Sequence, residues 1–185
     1  MKLNKEDIIR LVEQDDWMMN VLETVQMLKL SDWWICAGFL RSKIWDTLHD
    51  FAERTPLTDV DVIYFDSSTV SEKVEKILEE NLSIRMPHVP WSVKNQARMH
   101  VINGLSPYIS AEDGIAHFPE TVTAIGVKLN DNKQVVLTAP YGIEDVVQMV
   151  VNPTPYFKCE LNEKYQERVK KKNWSQTWNK VKNNI

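Results

Sequence analysis

Apolar residues recur at helical spacing from the start of the chain: Ile8, Leu11 and Val12, then Met18, Met19, Leu22, Val25 and Leu28. The polar pair Asp15-Asp16 breaks that run into two predicted helices. Trp33 to Gly38 is a short apolar run, the pattern of a buried strand. Phe39 to Phe51 returns to the helical period, with Leu40, Ile44, Trp45, Leu48 and Phe51 on its inner face. The turn-rich ERTPLT separates this helix from a second strand, Val60 to Phe65. Thr69 and Glu72 stand at capping-box spacing before a helix whose apolar stripe is Val70, Val74, Ile77 and Leu78. From Trp91 to Ile102, Val93, Ala97, Met99 and Val101 interleave with Lys94, Gln96, Arg98 and His100, which predicts a strand with one dry and one basic face. TVTAIGVKL and KQVVLTA flank Asn130-Asp131-Asn132 and predict a hairpin. Gly142 to Val151 is a short helix, NPTP punctuates, and the tail is helical with Trp174 and Trp178 four residues apart.

Strands alternating with helices, followed by a hairpin, predict an α/β or α+β fold: a mixed sheet with helices mainly on one face and extra helices at both ends. The other face of the sheet is then free to hold a site. The expected division is a domain over residues 1–155 and a basic helical extension over 156–185 packed on it.

At 185 residues, with 43% apolar and 26% charged residues, the chain has the composition of a soluble globular protein able to bury about 70% of its unfolded surface. No window approaches 18 uncharged apolar residues, so no membrane span is predicted. The start of the chain is charged throughout and lacks the apolar core of a signal peptide, and Cys36 and Cys159 make neither a metal spacing nor a disulfide framework. The expectation is a reducing cytoplasm. The net charge of −4 is uneven: residues 158–185 hold eight Lys/Arg against three Asp/Glu, leaving −9 on the rest. A basic tail can meet phosphate or RNA, or be the wet side of a terminal helix; the net negative charge disfavours nucleic acid.

Asp59 and Asp61 change this picture. Alternate strand residues share a face, so the two carboxylates point the same way from Cα atoms roughly 6.5 Å apart. At about 5 Å separation and an effective dielectric of about 20, their repulsion is on the order of 3 kcal/mol. A divalent cation removes the objection, since Mg²⁺ takes one or two carboxylates plus substrate phosphates. The plain alternative is a turn-closing Asp59 and an Asp61 exposed at a strand end. Upstream, Gly38 ends a strand and opens a helix, where backbone N–H groups can face a phosphate. Arg41 follows in the first helical turn, a position that disfavours a cation unless an anion is present. A tight turn and a solvated helix residue are the plain readings of these two.

ICAGFLRSKIWDTL followed by DVDVIYFD resembles the nucleotidyltransferase superfamily that includes DNA polymerase beta and the CCA-adding enzymes. WSVKNQARMH, PETVTAIGVKL and APYGIEDVV before NPTP are similar to small bacterial nucleotidyltransferase-family proteins, over nearly the whole chain. The resemblance implies that Asp59 and Asp61 hold Mg²⁺, in a one- or two-metal site, and that Gly38 and Arg41 hold the phosphates of a nucleoside triphosphate. The implied reaction transfers a nucleoside monophosphate to an acceptor, whether small molecule, protein or RNA. Two departures stand out: Phe39 occupies the place of a Ser or second Gly, and WSVKNQARMHV contains no third carboxylate. Asp66 and Glu120 are the substitutes at hand. Lys94, Arg98 and His100 form a basic row that either lines the groove and meets phosphate or keeps an edge strand soluble. Trp45 and Trp91 are core residues or base-stacking platforms. GxxxxGK[ST], GxGxxG, HExxH and GxSxG are absent. The rival reading is a non-catalytic nucleotide- or partner-binding module on the same fold.

Overall fold

The computed structural model describes residues 3–159 and 161–184. The chain opens with helix α1 (Lys5–Glu13), where Asn4 and Asp7 cap each other's backbone N–H groups at 2.9 and 3.0 Å. The Asp15-Asp16 break is a helix start: Asp15 accepts from the Met18 N–H and caps α2 (Asp16–Gln26). Strand β1 (Trp34–Cys36) leads directly into α3 (Gly38–Leu48), and β2 (Val60–Tyr64) follows. Helix α4 (Glu72–Arg85) crosses to β3 (Trp91–Asn95), then come short helices α5 (Gln96–Met99) and α6 (Ala111–Ala116). The predicted hairpin is β4 (Gly126–Leu129) and β5 (Val135–Thr138). Helix α7 (Glu144–Gln148), strand β6 (Val150–Val151), α8 (Asn162–Lys172) and β7 (Lys182–Asn183) complete the chain. No described helix is long and apolar enough to cross a membrane.

The sheet is mixed, in the order β3-β2-β1-β4-β5, with only β2 and β3 parallel. Alternation assigns its faces. Ile35, Val62, Val93 and Val127 join the apolar faces of α1, α2 and α3 in the main core. Trp34, Cys36 and Ile63 turn to the opposite side and meet α6 through Ala111 and Ile115. Helices therefore lie mainly on one face, and the short α6 covers only part of the other.

Several elements end earlier than the pattern predicts. The strand expected over Trp91 to Ile102 stops at Asn95, whose side chain accepts from the Ala97 N–H and turns the chain into α5. Helix α3 ends at Leu48, leaving Phe51 41% exposed rather than on the inner face. Ser71, not Thr69, precedes α4. That helix turns Ile77 to solvent and buries Glu75, because Glu75 and Glu79 accept from the N–H groups of Asn95 and Val93 on the edge strand β3. The edge is thus closed by carboxylates. At the C-terminus, α8 stops at Lys172, and Trp174 and Trp178 fold back against Trp45 of α3, with ring centroids 5.9 and 5.2 Å away.

Candidate functional site

On the open face of the sheet, Cys36, Asp61 and Ser92 stand side by side across β1, β2 and β3, and Ile63 pairs with Lys94. Asp59, one residue before β2, shares the face of Asp61. Both carboxylates line a groove of about 460 Å³. One wall is the start of α3 with Gly38, Arg41 and Ser42, and a second is the loop 55–58. Gln96, Tyr108 and His117 belong to a third, and Arg168, Lys172, Trp174 and Trp178 to a fourth.

The β1–α3 turn is strained at Ala37, with φ 53° and ψ −119°, a conformation suited to glycine. This turn lets the Ala37 carbonyl accept from the N–H groups of Leu40 and Arg41. No side chain caps α3, so the first donors of the helix, at Gly38 and Phe39, have no partner among the described residues, and Gly38 lines the groove. A Cβ on Gly38 would meet only the Arg41 guanidinium, at 3.6 Å, so the missing side chain leaves space on the groove side.

Arg41 is 8% exposed and forms no ion pair among the described residues. Its guanidinium lies 5.1, 4.8 and 5.5 Å from the rings of Trp45, Trp174 and Trp178. It donates to Ser42 Oγ at 3.2 Å, and its buried Nε–H has no acceptor. Burial lowers its pKa to about 10, partly offset by attraction to Glu120 and the two aspartates, so it stays charged at neutral pH.

Burial and the neighbouring Asp59 charge together raise the Asp61 carboxyl to about 6, against a smaller opposing pull from Ser92, Arg168 and Lys172. No cation among the described residues pairs with either aspartate. A site whose carboxylates repel one another and lack a counter-ion fits a divalent cation. The described residues hold no cluster of three or more His, Cys, Asp or Glu, so the pair stands without a third acidic ligand. Cys36, pushed far above its ordinary pKa by burial and by Asp61, is held as an inert thiol.

The structure therefore brings Gly38, Arg41, Asp59, Asp61 and Lys94 to one groove and leaves Arg98 outside it. Arg98 makes a two-pronged bond to Glu75, Nε to Oε1 at 2.7 Å and an Nη to Oε2 at 2.6 Å. Lys94 lines the groove while leaning toward Glu75 at 3.6 Å and Glu79 at 4.0 Å. Of the substitutes for a third acid, Asp66 closes an exposed turn with Ser68. Glu120 is fully buried behind the wall, accepting from Arg168 Nε and Thr123 Oγ1, each at 2.7 Å. Trp45 is core, its Nε1 donating to the Val146 carbonyl at 2.9 Å. The sequence carries no signal for Ala37. Gln96 stands in the polar row expected on a strand but is not singled out there, and the basic tail with Trp174 and Trp178 is expected as a helix able to meet phosphate, not as a wall of this groove.

A family model described as nucleotidyltransferase matches residues 23–183. Among solved structures, one whose description reports a CCA-adding enzyme head domain by nuclear magnetic resonance is 35% identical, covers 98% of this chain and 96% of its own, and superposes with a TM-score of 0.88. A CCA-adding enzyme in complex with CTP is 12% identical, with TM-score 0.60 over 95% of this chain and 42% of that one. The Thermotoga maritima CCA-adding enzyme complexed with tRNA is also 12% identical, with TM-score 0.57 over 95% and 41%. The chain thus spans about two fifths of these enzymes, and the likeness to them is one of fold. No curated protein matches the chain in sequence.

Proposed function

The chain belongs to the nucleotidyltransferase family, and on that footing we propose that its groove binds a nucleoside triphosphate with Mg²⁺ and transfers the nucleoside monophosphate to an acceptor. One observation carries this reading: a buried unpaired cation, Arg41, and an unpaired carboxylate couple, Asp59 and Asp61, line one groove without neutralising each other. A metal–triphosphate complex carries both complementary charges in one ligand.

In this reading Asp59 and Asp61 hold the cation, and Arg41 with the free N–H groups at the start of α3 holds the phosphates. Bound there, a divalent ion neutralises the triphosphate and lowers the cost of developing charge at the reacting oxygens. The chain's own part is positioning. Ser42 and the three tryptophans fix the guanidinium, and the sheet register fixes Asp61 beside it. A bond forms between the acceptor oxygen and the α-phosphorus, the bond to the β-phosphate bridge breaks, pyrophosphate leaves, and the acceptor proton passes to solvent. The acceptor is a small molecule, protein or RNA presenting a hydroxyl or phosphate. The tRNA named for the longer relatives is not carried over to a chain spanning 41% of one of them.

The absence of a third acidic ligand among the described residues favours a second reading, a module that binds nucleotide without turning it over. Titration with nucleoside triphosphates, with and without Mg²⁺, tests binding; pyrophosphate release separates the two readings. The expected result is Mg²⁺-dependent binding that drops at least about tenfold in Asp59→Asn and in Asp61→Asn, each still folded. Metal-independent binding that both variants retain refutes the assignment of the pair.

A further inference from the structure

We propose that the groove also contains a base-reading subsite, in which the Gln96 side chain recognises adenine, with Gly114 as its positioning residue; this rests on the triphosphate reading above. Gln96 opens α5, lines the groove and is only 3% exposed. Its amide makes no hydrogen bond among the described residues. Its neighbour Asn95 is fully committed: it donates to the carbonyls of Asp66 and Thr69 and accepts from Ala97 and Asp66. A side chain buried up to the edge of a cavity, whose amide finds no protein partner among the described residues, is matched to a ligand rather than to the fold.

Gly114 explains how that amide is held. A Cβ there would lie 2.5 Å from Gln96 Oε1 and 2.8 and 2.9 Å from its Cγ and Cδ. The Gln96 side chain therefore lies flat against the bare backbone of α6, a placement no other residue at position 114 allows. His117, on the same wall, has Nδ1 2.7 Å from the Asp113 carbonyl oxygen and 3.5 Å from its carboxylate, both acceptors, so Nδ1 carries a proton and, in the neutral ring, Nε2 is an acceptor. The His117 ring is held between Tyr108 at 4.5 Å and Tyr156 at 3.8 Å, so it presents its edge rather than a face. Ile63, Met99 and Phe118 supply apolar surface for a base ring.

An amide offers one acceptor and one donor side by side, the complement of the amino group and ring nitrogen of adenine. Cytosine presents the same pair, and the apolar surface of Ile63, Met99 and Phe118 favours the larger ring of adenine. His117 Nε2 adds a second acceptor for an amino group. Among the described residues, the only carboxylates lining the groove are Asp59 and Asp61, which leaves no acidic partner at this wall for the donor edge of guanine.

Calorimetric titration of the full chain with Mg²⁺ and, separately, ATP, GTP, CTP, UTP and inorganic tripolyphosphate tests the assignment. ATP should bind at least about tenfold more tightly than UTP or GTP, the discrimination typical of one bidentate amide–base pair, and more tightly than CTP, which offers the same edge on a smaller ring. Gln96→Met, equal in shape and without the amide, should erase that preference while tripolyphosphate binds as before. Gly114→Ala, favourable to a helix in itself, should do the same by displacing the Gln96 side chain. No binding of tripolyphosphate overturns the triphosphate reading and this inference with it. Tripolyphosphate binding with equal affinities for all four nucleotides, tighter binding of CTP, GTP or UTP than of ATP, or a preference unchanged in Gln96→Met, overturns this inference alone.

Discussion

The indole N–H of Trp178 donates to the buried Asp46 carboxylate across 2.8 Å, joining positions 132 residues apart. The same carboxylate accepts from the backbone N–H and the hydroxyl of Thr55, at 2.9 and 2.7 Å. One side chain of α3 thereby ties down both the loop that delivers Asp59 and the C-terminal wall that encloses Arg41. Replacing it strands a buried indole N–H and frees that loop. Asp46→Ala should lose about 2–4 kcal/mol of stability in urea unfolding and bind nucleoside triphosphate more weakly, although it lies outside the groove lining. Unchanged stability would show that the two walls hold their places independently.

Arg41 is a cation that the fold alone gains little from burying. Arg41→Met should leave thermal stability equal or higher and reduce tripolyphosphate affinity at least about tenfold. The three tryptophans around the guanidinium supply the readout: polyphosphate should change the intrinsic fluorescence of the wild-type chain and leave that of the variant flat. A large stability loss with normal polyphosphate binding would make Arg41 a structural residue.

The raised pKa of Asp61 has a consequence for stability. Its folded value of about 6 exceeds the ordinary 3.8, so the folded state binds this proton more tightly than the unfolded chain does. The favourable contribution of that proton is fully present below about pH 3.8 and is lost as pH rises through about 6. Without metal, Asp61→Asn should therefore gain about 2–3 kcal/mol at pH 7 and show a flatter melting temperature between pH 4 and 7. Equal pH profiles for the two proteins would contradict the buried, repelled state of this carboxyl. Mg²⁺ should raise the melting temperature of the wild type only.

Ala37 holds a conformation that penalises any side chain. Ala37→Gly should stabilise the protein by about 1 kcal/mol, measured as a higher midpoint in chemical denaturation. A lower midpoint would mean that the loss of backbone entropy outweighs the strain.

Periodicity of two placed Asp59 and Asp61 on one face, and helix geometry placed Arg41 one turn from Gly38. Both relationships lie within a few residues, where backbone geometry leaves little choice. The mixed sheet, the hairpin at Asn130 and the Asp15-Asp16 break were legible for the same reason. The reach of β3 was not, because Asn95 resolves a local competition by turning its side chain onto its own backbone. The fate of Arg98 was not legible either. Basic residues alternating along a segment look alike whether they face a substrate or a partner helix, and only the docking of α4 on the sheet edge, bringing Glu75 within 2.6 Å, settles it.

The chain by itself determined what local geometry dictates: a helix and a strand, each carrying one half of a charged groove. Tertiary structure alone decided what closes that groove, because Trp174, Trp178 and Arg168 reach it from more than a hundred residues away along the chain. It also decided which charges stay unpaired. Whether a guanidinium finds a carboxylate or is left facing a cavity depends on distances between elements, and no spacing within one element encodes them.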